Sequence, residues 1–147
     1  MDTDKPQTLM PLVIADIYEL AGRFRDSGEA IARRSGQTQA RWQVMSAASA
    51  DSKTVPQIAR RLGVTRQNVQ RIADLLVTEG WATFEANPDH RSSPYLVLSK
   101  RGRDALERVS KAAEGHHARL ARKLTASELA SIHRGLRRLL EASAGPE

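Results

Sequence analysis

The sequence predicts a mainly α fold carrying one small β-hairpin. Three observations predict it. Glycine (9) and proline (6) are sparse and aromatics make up 4%, so turn-makers are few and the core is largely aliphatic. Apolar residues recur at helical spacing over most of the chain. Between Trp81 and Leu98 that period disappears, and turn residues separate two short runs that read as strands. At 147 residues the chain is one domain's worth, long enough to bury a core.

Taken in order, Pro11 to about Arg34 forms a first helix, apolar at Leu12, Ile17, Leu20, Phe24 and Ile31, with Gly36 ending it. Gln39 to Ala50 is a shorter helix with Trp42, Val44 and Met45, and residues 50–53 are a polar connector. Thr54-Val55-Pro56-Gln57 reads as a capping box opening a third helix, striped by Ile58, Ala59 and Leu62 and stopped by Gly63. Thr65 caps a fourth helix through Glu79, closed by Gly80, with Val69, Ile72, Ala73 and Leu76 facing a core. Trp81 to Phe84 and Tyr95 to Leu98 are the strands, and Asn87-Pro88-Asp89 and Ser92-Ser93-Pro94 mark a long polar tip. Ser99 begins a long helix to about Lys123, apolar at Leu106, Val109, Ala113 and Leu120. Thr125-Ala126-Ser127-Glu128 caps a last one, which Ala144-Gly145-Pro146 ends. The order is α-α-α-α-β-β-α-α.

Composition excludes several classes. There is no cysteine, so disulfides, thiolate metal sites and thiol nucleophiles are ruled out. No apolar run approaches the ~18–20 residues of a membrane span, and the first ten residues lack the build of a signal peptide. A cytoplasmic protein is expected, with no membrane partner. Twenty-three Lys and Arg against 17 Asp and Glu leave a charge of +6, which favours a polyanion. From Pro56 to Arg103 eight cations face four acids, so most of the excess lies in that segment.

Residues 54–80 carry the chemistry. Two short helices joined by a tight glycine-containing turn are a helix-turn-helix signature, with the hairpin behind them as a wing. Opposite its core face, the second helix sets Arg66, Gln67, Asn68, Gln70 and Arg71 near its N-terminus. Arg bonds bidentately to guanine, Asn and Gln to adenine, and a helix N-terminus attracts phosphate. A merely solvated face explains Arg and Gln one by one, but not the lack of acids before Asp74. Thr65 and Asn68 support contacts from the helix start. Arg91, in Asp89-His90-Arg91 at the hairpin tip, suits a minor groove, though it reads equally as a solvated loop residue.

On these residues the chain resembles the MarR family of winged helix-turn-helix transcriptional regulators. The likeness is carried by Ile58-Ala59-Arg60-Arg61-Leu62-Gly63-Val64-Thr65-Arg66-Gln67, by Leu76 to Gly80-Trp81, by Asn87-Pro88-Asp89-His90-Arg91, and by Leu98-Ser99. It covers nearly the whole chain in element order. The resemblance implies a single MarR-like domain over 1–147. Within it, 54–98 is the DNA-binding lobe, with recognition helix 65–79 and wing 81–98, and 11–50 and 100–143 form a helical dimerisation region. It further implies a homodimer on a palindromic operator in double-stranded DNA, acting as a repressor. A small, often aromatic or phenolic, effector bound between the lobes would release it. One departure concerns the wing: Asp89-His90-Arg91 stands one residue nearer the glycine than the Asp-x-Arg of many members, whose positions fall here on His90 and Ser92.

An effector pocket would draw on Tyr18, Trp42 and Met45, with Arg41 as carboxylate partner, although core is the better single reading for these four. Glu114, His116, His117 and His133 invite a metal site, but adjacent histidines on a helix point about 100° apart, and no ligand spacing is recognisable. No metal and no cofactor are expected. Nothing marks a nucleophile elbow or a phosphate-binding glycine loop, so an enzyme is not expected. The rival reading is a winged-helix module that binds protein instead of DNA, its charge serving to steer association.

Overall fold

A computed structural model describes residues 4–145. It contains α1 (Pro6–Arg33), α2 (Gln39–Ala50), β1 (Lys53–Thr54), α3 (Val55–Leu62), α4 (Arg66–Thr78), β2 (Ala82–Glu85), β3 (Tyr95–Leu98), α5 (Lys100–Ala121) and α6 (Ala126–Ala142). The strands form one antiparallel sheet in the order β1-β3-β2. The predicted class, mainly α with a small β wing, is the one observed.

Three boundaries differ from expectation. The first helix begins at Pro6, not at Pro11, which lies inside it. Pro6 occupies the first turn, where the missing N–H is unpaired in any residue. Pro11 sits one turn further on and gives up one internal hydrogen bond. The strand expected from Trp81 begins at Ala82, because the Trp81 N–H donates back to the Leu76 carbonyl at 2.8 Å and closes the end of α4. The connector 50–53 hides β1, whose Lys53 and Thr54 pair with Leu96 and Tyr95. Two polar residues carry no alternation, so nothing in the sequence announces this strand. Pro146, expected among the residues that end the last helix, lies outside the described residues.

The chain divides into two compact units, residues 1–112 and 113–147. In the first, Met45, Ile58, Leu76 and Leu96 are fully buried, with Val44, Val69 and Ala73 among them. Each large side chain contributes about 1.5–3 kcal/mol by leaving water. In the hairpin, Ala82 pairs with Leu98 and Phe84 with Leu96, which turns these four toward the core. Val44, Met45, Ala47 and Ala48 of α2 join the same cluster, so this helix packs with α3, α4 and β3. In the second unit, α6 opens on the Thr125–Glu128 capping box, buries no residue, and sets Leu129, Ile132, Leu136 and Leu140 in solvent.

Candidate nucleic-acid interface

The helix-turn-helix follows from local rules. α3 starts on a complete capping box: Thr54 Oγ1 accepts from the Gln57 N–H at 3.4 Å, and Gln57 Oε1 accepts from the Thr54 N–H at 2.9 Å. It ends at Gly63, whose φ of +66° is the left-handed conformation glycine takes without strain. Two residues later Thr65 caps α4, its hydroxyl accepting from the Asn68 N–H at 3.1 Å. Val69, Ile72, Ala73 and Leu76 bury one face of α4 and leave the opposite face outward.

On that outward face Arg66, Gln67, Gln70 and Arg71 are exposed and Asn68 is half-buried. Two of them are held by neighbours. Arg71 Nη2 donates to Asn68 Oδ1 at 3.0 Å, and Gln70 Nε2 donates to Asp74 Oδ1 at 2.9 Å. The Asn68 carboxamide oxygen therefore orients Arg71, and the Thr65 hydroxyl is spent on the cap. Among the described residues, no side-chain hydrogen bond or ion pair holds Arg66, Gln67 or Arg91. Asp74 was visible in the sequence as the first acid of the helix, but its grip on Gln70 one turn back was not anticipated.

The wing tip is organised by one buried asparagine. Asn87 Nδ2 donates to the Ser93 carbonyl at 3.1 Å, while its Oδ1 accepts from the Asp89 N–H at 3.0 Å. These bonds cross the loop and hold His90 and Arg91 in solvent. At the base of the wing, Phe84, Ser92, Ser93 and Pro94 face Arg66, Gln67 and Gln70 of α4 across a groove of about 370 Å³. The first half of α4 and the wing thus wall one groove, whose cation is Arg66 of α4, while Arg91 stands exposed at the wing tip outside that lining.

The other end of α4 is tied down. Both terminal nitrogens of Arg41, from α2, donate to the two carboxylate oxygens of Glu79, one of them at 3.2 Å. The Arg41 guanidinium lies 5.3 Å from the centre of the Trp81 ring and the Arg101 guanidinium 5.8 Å from it. Arg101 Nη1 also donates to the Glu79 carbonyl at 3.3 Å, and Ser99 Oγ to the Gly80 carbonyl at 2.8 Å. Hydrogen bonding to Arg41 holds the Glu79 carboxyl below its ordinary value of 4.5, and the charges of Arg41 and Arg101 act in the same direction against the effect of burial. Sequence reasoning did not find this cluster, since its members lie up to 60 positions apart.

Known proteins resolve what this arrangement belongs to. The profile described as MarR family matches residues 35–91, the segment from α2 to the wing tip. An uncharacterized protein of Mycobacterium tuberculosis, Rv2011c, is 49% identical over 130 residues, covering 88% of this chain and 91% of that one. The chain belongs to the MarR family. Among solved structures, a MarR family transcriptional regulator from Silicibacter pomeroyi superposes with a TM-score of 0.82 at 19% identity, over 96% of this chain and 95% of that one. Mutant MarR from E. coli complexed with operator DNA gives 0.69 at 23% identity, over 90% and 95%. Sco3205 from Streptomyces coelicolor, in complex with DNA, gives 0.74 at 17%, over 92% and 91%. MarR-family chains are transcription regulators and not enzymes.

In this MarR-family chain the four residues considered for an effector differ widely in exposure and partners. Tyr18 is 75% exposed on α1, Met45 is fully buried in the core, Trp42 is buried, and Arg41 is occupied by Glu79 and Trp81. A groove of about 420 Å³ lies elsewhere, lined by Phe24 and Arg25 of α1, Gln43 of α2, Leu62 and Val64 around the turn, and Asn68 of α4. The His116 and His117 rings stand edge to face at 6.1 Å. No group of three or more metal-ligating side chains converges among the described residues. Among the same residues, no helix is long and apolar enough to cross a membrane.

Proposed function

We propose that this chain is a sequence-specific DNA-binding transcriptional regulator that works as a homodimeric repressor released by a small ligand. The observation that carries the reading is the shared surface of α4 and the wing, where Arg66, Gln67, Gln70 and Arg71 stand exposed beside a loop that projects Arg91. α4 enters a major groove and reads base edges with Arg and Gln, and Arg91 enters the flanking minor groove. Thr65 and Asn68 act from beneath, by capping the helix and orienting Arg71. Mutant MarR from E. coli complexed with operator DNA and Sco3205 in complex with DNA share this fold, which supports DNA as the target.

Dimerisation is supported by exposed apolar surface. Leu12, Leu20 and Phe24 on α1, and Leu129, Ile132 and Leu136 on α6, are each 39–55% exposed. A second copy that covers them would pair two recognition helices with half-sites one DNA turn, ~34 Å, apart in a palindromic operator. Regions 11–50 and 100–143 supply this contact, and 54–98 the DNA contact. Bound at a promoter, such a dimer excludes polymerase, hence repression. An aromatic or phenolic effector fits the groove beneath α4, whose lining includes Phe24 and Arg25. A ligand there would press on Asn68 and Val69 and move the recognition helix.

Fluorescence anisotropy tests the reading: purified protein titrated onto the intergenic DNA upstream of its own gene, and onto a scrambled duplex. Binding tighter by several kcal/mol to the upstream DNA is the expected result. Failure to prefer any duplex, with capture of a protein partner through the same face, would replace DNA by protein as the target.

A further inference from the structure

We infer that Arg41 is a positioning residue for DNA recognition, fixing the C-terminal end of α4 and through it the placement of Arg66, Gln67, Gln70 and Arg71. The inference rests on the DNA-binding reading and deepens it. Arg41 touches none of the surface assigned to DNA. It reaches the far end of the same helix, where three elements meet. α2 supplies Arg41, the residues closing α4 supply Glu79 and Trp81, and α5 supplies Arg101.

The groups that close α4 all have partners, although the buried Nε of Arg41 has none. The Glu79 carboxylate takes both terminal nitrogens of Arg41, the Glu79 carbonyl takes Arg101, and the Gly80 carbonyl takes Ser99. Val69, Ile72, Ala73 and Leu76 hold α4 against the core, but aliphatic contact has little directional preference. A planar fork stacked on an indole does have one. It fixes the rotation of the helix about its axis and its position along that axis. Arg41 is also braced from its own side, because its N–H donates to the Thr38 cap at 3.1 Å.

Lever geometry sets the consequence. Thirteen residues make α4 about 20 Å long, so a tilt of about 3° at the anchored end carries the first turn by about 1 Å. Hydrogen bonds to base edges do not survive a displacement of that size. Charge contacts with phosphates do, because they fall off gently with distance. Releasing the anchor therefore costs sequence discrimination while leaving general affinity for DNA in place. A residue that served stability alone would lower both together.

The test uses a duplex that the wild-type protein selects from a randomised pool, with a scrambled duplex of the same composition beside it. Arg41→Gln is expected to bind the selected duplex about tenfold more weakly, in the range of one mismatched base pair. The scrambled duplex should be bound within about twofold of wild type, with an unchanged slope of log affinity against log salt. The exchange of charges, Arg41→Glu with Glu79→Arg, is expected to recover most of the discrimination. An unchanged ratio between the two duplexes overturns the inference, and so does an equal loss on both. If Arg41→Gln melts below the assay temperature, Glu79→Gln decides by the same ratio, since it alters an exposed side chain and leaves Arg41 on Trp81. A wild-type protein that selects no duplex overturns the DNA-binding reading itself, which is a different result from a wild type that selects and a variant that discriminates as well.

Discussion

Arg66 and Arg71 are both exposed on α4, five residues apart, yet the protein treats them differently. Arg71 is pre-oriented by the Asn68 carboxamide and loses little freedom on meeting a base. Arg66 has no such partner. Arg71→Ala is therefore expected to weaken binding to the selected duplex by about 1–3 kcal/mol and to relax preference at one base position, read by anisotropy on single-base variants of the duplex. Unaltered affinity would remove Arg71 from the interface. Arg91→Ala should act otherwise, weakening all sequences alike and reducing the salt slope by about two, one for each copy in the proposed dimer. The identities of these residues were legible in the sequence because helix periodicity alone separates Val69, Ile72, Ala73 and Leu76 from the rest. Their partners were less so. The Gln70–Asp74 and Arg71–Asn68 bonds require rotamers that no pattern states, and Arg41 reads as a ligand partner until Glu79 is found in front of it.

Helices in this chain announce themselves through their ends. Thr54 with Gln57, Thr65 with Asn68, and Thr125 with Glu128 all form the caps their spacing predicts. β1 and the true start of α1 stay hidden, the one because two polar residues show no period, the other because a second proline is tolerated inside the helix. Close packing between elements is equally silent. A Cβ on Gly102 would stand 2.1 Å from the Trp81 carbonyl oxygen, so only glycine lets α5 leave the sheet so near Trp81. Gly102→Ala is expected to lower stability by about 1–3 kcal/mol or more, the range for overpacking against an unyielding neighbour, seen as a lower thermal midpoint. In α4, Leu76→Ala should cost about 2–5 kcal/mol because the side chain is fully buried, whereas Leu75→Ala, at a position 42% exposed, should cost well under 1 kcal/mol. Equal losses at the two positions would contradict the face assigned to the core.

Across the chain, three carboxyl groups among the described residues are held below their ordinary values: Glu79 by Arg41, Asp104 by Lys100, and Glu128 by the Thr125 N–H. A depressed carboxyl contributes stability that is fully present above its unfolded value and is lost as pH falls through the folded one. Chemical denaturation midpoints should therefore be level near neutrality and decline only below the ordinary values of 4.5 for Glu and 3.8 for Asp. The general fold was legible because charge, capping and periodicity agree. The proposed homodimer rests only on family resemblance and on apolar side chains that the isolated chain leaves in water. The central claim is that the basic face of α4 and the wing engages DNA phosphates while it reads bases, and a salt series of anisotropy titrations on the selected duplex tests it most directly. Cations of this face that neutralise phosphates, present twice in the proposed dimer, predict a straight log–log line that falls by about 0.9 for each phosphate contact. A flat line, with affinity indifferent to salt and to sequence, would contradict it.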